Sequence, residues 1–125
     1  MAGLVLEPFP KQVYIGYGPV GNPPAVYDSR VYEATGWKEV TYWAELYGRF
    51  GLGVVPTPVT AFFRTSDDVL GPWIDLVPGG ETPAIGAVII NSVSTGFGRY
   101  MRFVLEVTAG EITVVSLRVV ARMVE

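Results

Sequence analysis

The sequence predicts an all-β fold, an antiparallel β-sandwich of jelly-roll type with an extended N-terminal arm. Three observations predict it. Apolar and polar residues alternate with period two in several stretches, the pattern of half-buried strands. Fifteen glycines and ten prolines punctuate the 125 residues and fall mostly between those stretches. No convincing long stretch repeats its apolar residues at helical spacing. About six to eight short strands follow, with no internal repeat, which is the signature of a sandwich or barrel.

Residues 1–24 stand apart from residues 25–125, which are read as the sandwich domain. The first segment holds five of the ten prolines (Pro8, Pro10, Pro19, Pro23 and Pro24) and four glycines. Proline removes ladder donors and biases its neighbours to extended backbone. Val13, Ile15 and Tyr17 alternate against Gln12, Tyr14 and Gly16, so one short strand at a sheet edge is expected. An apolar extended arm must lie on something, either its own domain or a neighbour. Val13, Tyr14, Ile15 and Tyr17 are the candidate partner-binding residues.

Residues 25–36 fit either a helical turn, with Tyr27 and Val31 four apart, or a short strand ending at Thr35-Gly36. From Glu39 to Phe50 the alternation is clear: Val40, Tyr42, Ala44, Leu46 and Gly48 against Thr41, Trp43, Glu45, Tyr47 and Arg49. Val59, Ala61 and Phe63 oppose Thr60, Phe62 and Arg64 in the next strand. Ser66-Asp67-Asp68 breaks that ladder by bonding back to the backbone, and Gly71-Pro72 closes the connection to a strand beginning at Trp73. Phe62, Phe63 and Trp73 mark this hairpin as a nucleus of the core. Strands are further expected over Ala84–Asn91, Arg99–Thr108 and Ile112–Val124, joined by Ser/Thr/Gly turns.

Composition excludes several functions. With no cysteine and no histidine, the chain lacks thiolate chemistry, disulfides, the commonest general base and the usual metal ligand. Nine Lys and Arg against twelve Asp and Glu give a net charge of -3 and no basic stripe, so no nucleic-acid partner is expected. No apolar run approaches the ~18 residues of a membrane-spanning helix, and the first residues lack the basic start of a secretory signal. Charged residues are 17% and apolar residues 50%. A small domain so poor in charge has difficulty covering its own surface, which points to a homo-oligomer or a larger assembly. A well-packed sandwich with Gly and Thr on its outside is the alternative.

Four constellations could carry chemistry. Asp67, Asp68 and Asp75 could offer hard oxygen ligands to calcium; the competing reading is an Asx turn capping the hairpin, and no metal or other cofactor is expected. Glu45 and Glu106 both sit on strands and could form a glycosidase-like carboxylate pair, which needs the two acids to face each other; the competing reading pairs each with a neighbouring Arg49 or Arg102 on a solvent face. Arg99 and Arg102 flank Tyr100 and could recognise a carboxylate or sugar, or simply cover the sheet with their stems. Trp43 and Tyr47 share a strand face and could stack on sugar if exposed, while strand aromatics are commonly core.

Phe63-Arg64-Thr65-Ser66-Asp67-Asp68, then Gly71-Pro72-Trp73-Ile74-Asp75-Leu76, then Gly98-Arg99-Tyr100-Met101-Arg102-Phe103 resemble the C-terminal half of discoidin-like (coagulation factor 5/8 type C) sandwiches. The resemblance spans about residues 39–124. It implies a sandwich in which the Arg-Tyr-hydrophobic-Arg strand runs through the middle of a sheet, a type also common in phage virion proteins. The early Trp and Asp-Leu-Gly strand of that family has no counterpart here, so its sugar, lipid and calcium loops are not carried over. Together these features give the expectation of a non-enzymatic structural component of a virion, a phage decoration, head or tail protein contacting other virion proteins. The alternative is a discoidin-like carbohydrate-binding module using Trp43, Tyr47 and Arg102.

Overall fold

The computed structural model describes residues 3–18, 23–51, 59–76, 80, 82, 88–93, 98–107 and 111–124. These form nine strands and, among the described residues, no helix: β1 (Gly3–Gly18), β2 (Ala25–Asp28), β3 (Tyr32–Glu33), β4 (Glu39–Gly51), β5 (Val59–Ser66), β6 (Ile74–Asp75), β7 (Val88–Val93), β8 (Tyr100–Val107) and β9 (Glu111–Val124). They build two antiparallel sheets. The first has the order β1-β9-β4-β7; the second has the order β2-β8-β5-β6, with β3 also on β8. Counting β2 and β3 as one broken strand, this is the eight-stranded order of a jelly roll, in which first and last strands are neighbours. The all-β sandwich expected from the alternation is therefore the fold.

The alternation predicts the core. Val40, Tyr42, Ala44 and Leu46 of β4 are buried, as are Val59, Ala61 and Phe63 of β5, Met101, Phe103 and Leu105 of β8, and Val115, Leu117, Val119 and Ala121 of β9. Phe63 stacks on Phe103 at 4.8 Å between ring centroids, and Tyr42 packs against both at 5.7 Å. Each such side chain contributes roughly 1.5–3 kcal/mol on burial.

Two expectations change in the structure, and the open choice over residues 25–36 is resolved in favour of strands. The N-terminal arm is not separate from the sandwich. Residues 3–18 form one long edge strand paired with β9 from Gly3↔Val124 to Gly18↔Glu111, with register shifts around Phe9. The shifts lie at Pro8 and Pro10, whose missing N–H groups cannot extend a regular ladder. Residues 25–36 hold two short strands and no helical turn. Ser29 carries the ladder across the break, its N–H donating to the Phe103 carbonyl at 2.8 Å and its hydroxyl accepting from the Phe103 N–H at 2.9 Å. The central hairpin is unequal: β5 is long, but its partner is only Ile74–Asp75 at the sheet edge. Of its three large aromatics only Phe63 enters the core, because alternation sends Phe62 to the outer side, and Trp73 lies there too, against Arg102. Of the strand expected over Ala84–Asn91, the described part is β7, Val88–Val93; residues 84–87 lie outside the described set.

Candidate functional site

Two surface features are built with care, and they lie at opposite edges of the second sheet. The first is the turn joining β5 to β6. The Asp68 N–H donates to the Ser66 hydroxyl at 3.1 Å, the Leu70 N–H to Asp68 Oδ1 at 2.9 Å, and the Gly71 N–H to the Asp68 carbonyl at 2.9 Å. This is an Asx turn, as the local chemistry of Ser and Asp favours. Gly71 holds φ at 94°, in the left-handed region, and a Cβ there would press on the Trp73 ring at 3.0 Å. Asp67 reaches across to accept the Arg99 N–H at 3.3 Å, and the Thr65 hydroxyl accepts the Gly98 N–H at 2.6 Å. The turn is thus tied both within itself and to the start of β8. It presents three apolar side chains to solvent: Val69, Leu70 (90% exposed) and Ile74 (63% exposed). Beside it opens a cleft of about 430 Å³ floored by Thr65, Ser66 and Gly98.

The second feature is a cleft of about 510 Å³ between β1 of the first sheet and β2–β3 of the second. Pro8, Phe9, Pro10, Tyr14, Val26 and Tyr32 contribute its apolar lining. Phe9 meets Tyr14 edge-on at 5.9 Å, and Tyr14 meets Tyr27 edge-on at 5.3 Å. The Tyr14 hydroxyl donates to the Pro10 carbonyl at 3.0 Å, and burial raises the phenols of Tyr14 and Tyr32 above their ordinary value. Tyr27 does more than fill space. Its hydroxyl donates to the Ile15 carbonyl at 2.7 Å and accepts the Ile15 N–H at 3.1 Å. Ile15 lies on an edge strand, whose outward backbone groups would otherwise be open to pairing.

The residues singled out in the sequence are dispersed by this fold. Asp68 caps the turn, Asp67 binds the Arg99 N–H, and Asp75 pairs with Arg64 at 2.7 Å. Among the described residues, no group of three acids stands close enough to hold a metal ion. Glu45 points outward from the first sheet and Glu106 from the second, so they do not face each other. Trp43 and Tyr47 also lie outside the first sheet, Arg122 over one ring at 5.9 Å and Lys11 over the other at 4.1 Å. The Glu45 carboxylate beside Tyr47 raises its phenol. Arg102 lies outside the second sheet with its guanidinium 4.6 Å from the Trp73 ring. Trp43, Tyr47 and Arg102 therefore do not make one ligand site. Of the arm residues, Val13 and Ile15 point outward at 56% and 46% exposure, Tyr14 is buried at 3% in the core, and the Tyr17 side chain lies outside the described residues. Alternation along β1 turns Tyr14 inward between the sheets, at the wall of the cleft, and not into the outward row of Val13 and Ile15.

Sequence reasoning did not single out Val69, Leu70, Tyr27 or Tyr32. The signal available was Val69-Leu70 itself, an apolar pair set between Asp68 and Gly71 where a turn is otherwise polar.

No family model matches this chain, and no curated protein compared with it matches.

Proposed function

We propose that this chain is a non-enzymatic structural protein of a virus particle, a phage decoration, head or tail component that docks on neighbouring subunits. The observation that carries the reading is the way its apolar surface is displayed. Val69, Leu70 and Ile74 stand outward on a hydrogen-bonded turn, and Val13 and Ile15 stand outward on β1. Held apolar groups of this kind mark contact surfaces on a domain that is poor in charge. Jelly rolls of this strand order serve viral capsids as well as lectins. The discoidin-like resemblance contributes a sandwich fold to the reading and no ligand loop. The N-terminal segment would contribute through the outward row of β1 and not by ordering a free arm, since it is already paired with β9.

The test is the composition of particles. Virions purified by density gradient from the source of the gene should contain the chain in fixed ratio to the principal shell or tail protein, read by quantitative mass spectrometry. A chain found only in the fraction free of particles overturns the reading.

A further inference from the structure

We infer that Tyr27 is an edge guard: its hydroxyl occupies the place beside Ile15 where a strand of a second copy would pair, so that removing it turns β1 into a surface for self-association. This role is separate from the structural reading above and stands whether or not the chain belongs to a particle.

β1 and β7 are the two edges of the first sheet, and β1 is the longer, with 16 residues. An edge strand presents a row of unpaired backbone groups that another strand can complete. Pro8 and Pro10 lack the N–H, and the pairing with β9 shifts register around Phe9, so the first part of β1 offers no regular row. From Gln12 to Tyr17 that defence is missing. Gln-Val-Tyr-Ile-Gly-Tyr has no proline, no charge and one glycine, and four of its six residues are β-branched or aromatic. That is the composition of segments that pair strand on strand between chains. Lys11, the charge next to it, is drawn over the Tyr47 ring at 4.1 Å.

Residues 12–17 pair with β9 without a register shift, from Gln12↔Leu117 to Tyr17↔Ile112. Along an antiparallel strand, alternate residues turn their N–H and C=O to one neighbour and the residues between turn theirs to the other side. Both groups of Ile15 are taken by one side chain, the Tyr27 hydroxyl, which donates to the Ile15 carbonyl at 2.7 Å and accepts the Ile15 N–H at 3.1 Å. A neighbouring strand would make this same pair of bonds. The phenol makes it with a single oxygen, which is donor and acceptor at once. Val13 and Tyr17, two residues to either side, turn their backbone groups the same way as Ile15, so the guard stands at the middle of the row.

The other sheet holds Tyr27 in this place. It lies on β2, paired with Leu105 of β8, and its ring meets Tyr14 edge-on at 5.3 Å. The hydroxyl thus reaches from the edge of the second sheet to the edge of the first, and a strand at the usual ~4.8 Å from β1 would have to displace it. The strand it excludes is β1 of a second copy. The row at Val13, Ile15 and Tyr17 is its own complement when a copy is turned about a two-fold axis through Ile15, and no charge in residues 12–17 opposes that pairing.

The test uses the full chain, with amide exchange followed by NMR and mass followed by light scattering. In the parent, the Ile15 amide should exchange roughly fivefold more slowly than those of Val13 and Tyr17, the protection of one ordinary hydrogen bond. Tyr27→Phe removes the oxygen and keeps the ring. In dilute solution it should lose the Ile15 protection while the β9 amides keep theirs, which reports an intact fold. In concentrated solution it should gain mass that the parent does not, and the Val13, Ile15 and Tyr17 amides should become protected together. Val13→Lys added to Tyr27→Phe places a charge on the bared edge, from a residue 56% exposed, and should return the mass to the parent's value.

A parent in which Ile15 exchanges as fast as Val13 and Tyr17 overturns the inference, and that measurement needs no variant. A folded Tyr27→Phe whose mass follows the parent's at every concentration overturns it too, since the hydroxyl then guards nothing. Association that survives Val13→Lys also overturns it, because another edge or face is then responsible. The particle experiment is decided separately from all three.

Discussion

On the outer face of the first sheet, Arg122 and Lys11 lie over Trp43 and Tyr47, and Glu7 meets Arg118 at a half-exposed surface. On the outer face of the second sheet, Asp75 holds Arg64, Arg102 rests on Trp73, and Arg102 Nε is shut from solvent with no hydrogen-bond partner among the described residues. Val104 points to that same side by alternation and is nevertheless fully buried. Gly80 supplies part of the reason. It lies so close to β5 that a Cβ would come within 2.9 Å of the Phe62 ring. The outer face of the second sheet is thus covered locally, over Val104, while Thr60, Phe62, Arg64, Arg102 and Glu106 around it stay half-exposed. The difference teaches that burial follows from what packs on a strand and not from the strand's alternation alone.

The largest expected effect lies where the two sheets share a core. Phe63→Ala removes the ring stacked on Phe103 and touching Tyr42, and should cost about 3–5 kcal/mol in urea unfolding. A loss comparable to that of a surface change would mean that the sheets do not meet at this ring.

Gly80→Ala sharpens the comparison on the second sheet. Its φ of 71° is in the left-handed region, and the added carbon would come 2.8 Å from the Ala61 carbonyl oxygen. A destabilisation of about 1–3 kcal/mol is expected. Faster hydrogen exchange in β5 should accompany it; an unchanged midpoint would show that residue 80 does not cover that face.

The smallest effects separate the two ion pairs. Asp75→Ala leaves the partly buried Arg64 without its carboxylate and should cost about 1 kcal/mol. Glu7→Gln on the open face should leave the unfolding midpoint within error, and added salt should erase what difference there is. Equal effects from the two substitutions would break the distinction between the faces.

Much of the sandwich was legible because a strand's side-chain period is two. The inward row of β4, from Val40 to Leu46, follows from alternation alone, as does that of β5. The glycines and prolines likewise mark where ladders stop. The candidate site was legible only in part. Val13 and Ile15 were expected at a contact surface and do stand outward, while Tyr14 between them does not, since both sheets close over it. Trp43, Tyr47 and Arg102 share the residue types of a ligand site but belong to opposite outer faces, and no local rule reveals that.

The sequence by itself determined the fold class, the inward rows of the long strands and the absence of thiol and imidazole chemistry, because these depend on residue type and nearest neighbours. Only the tertiary structure decided that the N-terminal segment pairs with β9, at the far end of the sequence. It alone placed Tyr27 on the backbone of Ile15, and it set the β5–β6 turn at the edge opposite the cleft. Strand order is chosen by long-range pairing, where every candidate strand offers the same backbone donors and acceptors, and the total packing of both sheets selects among them.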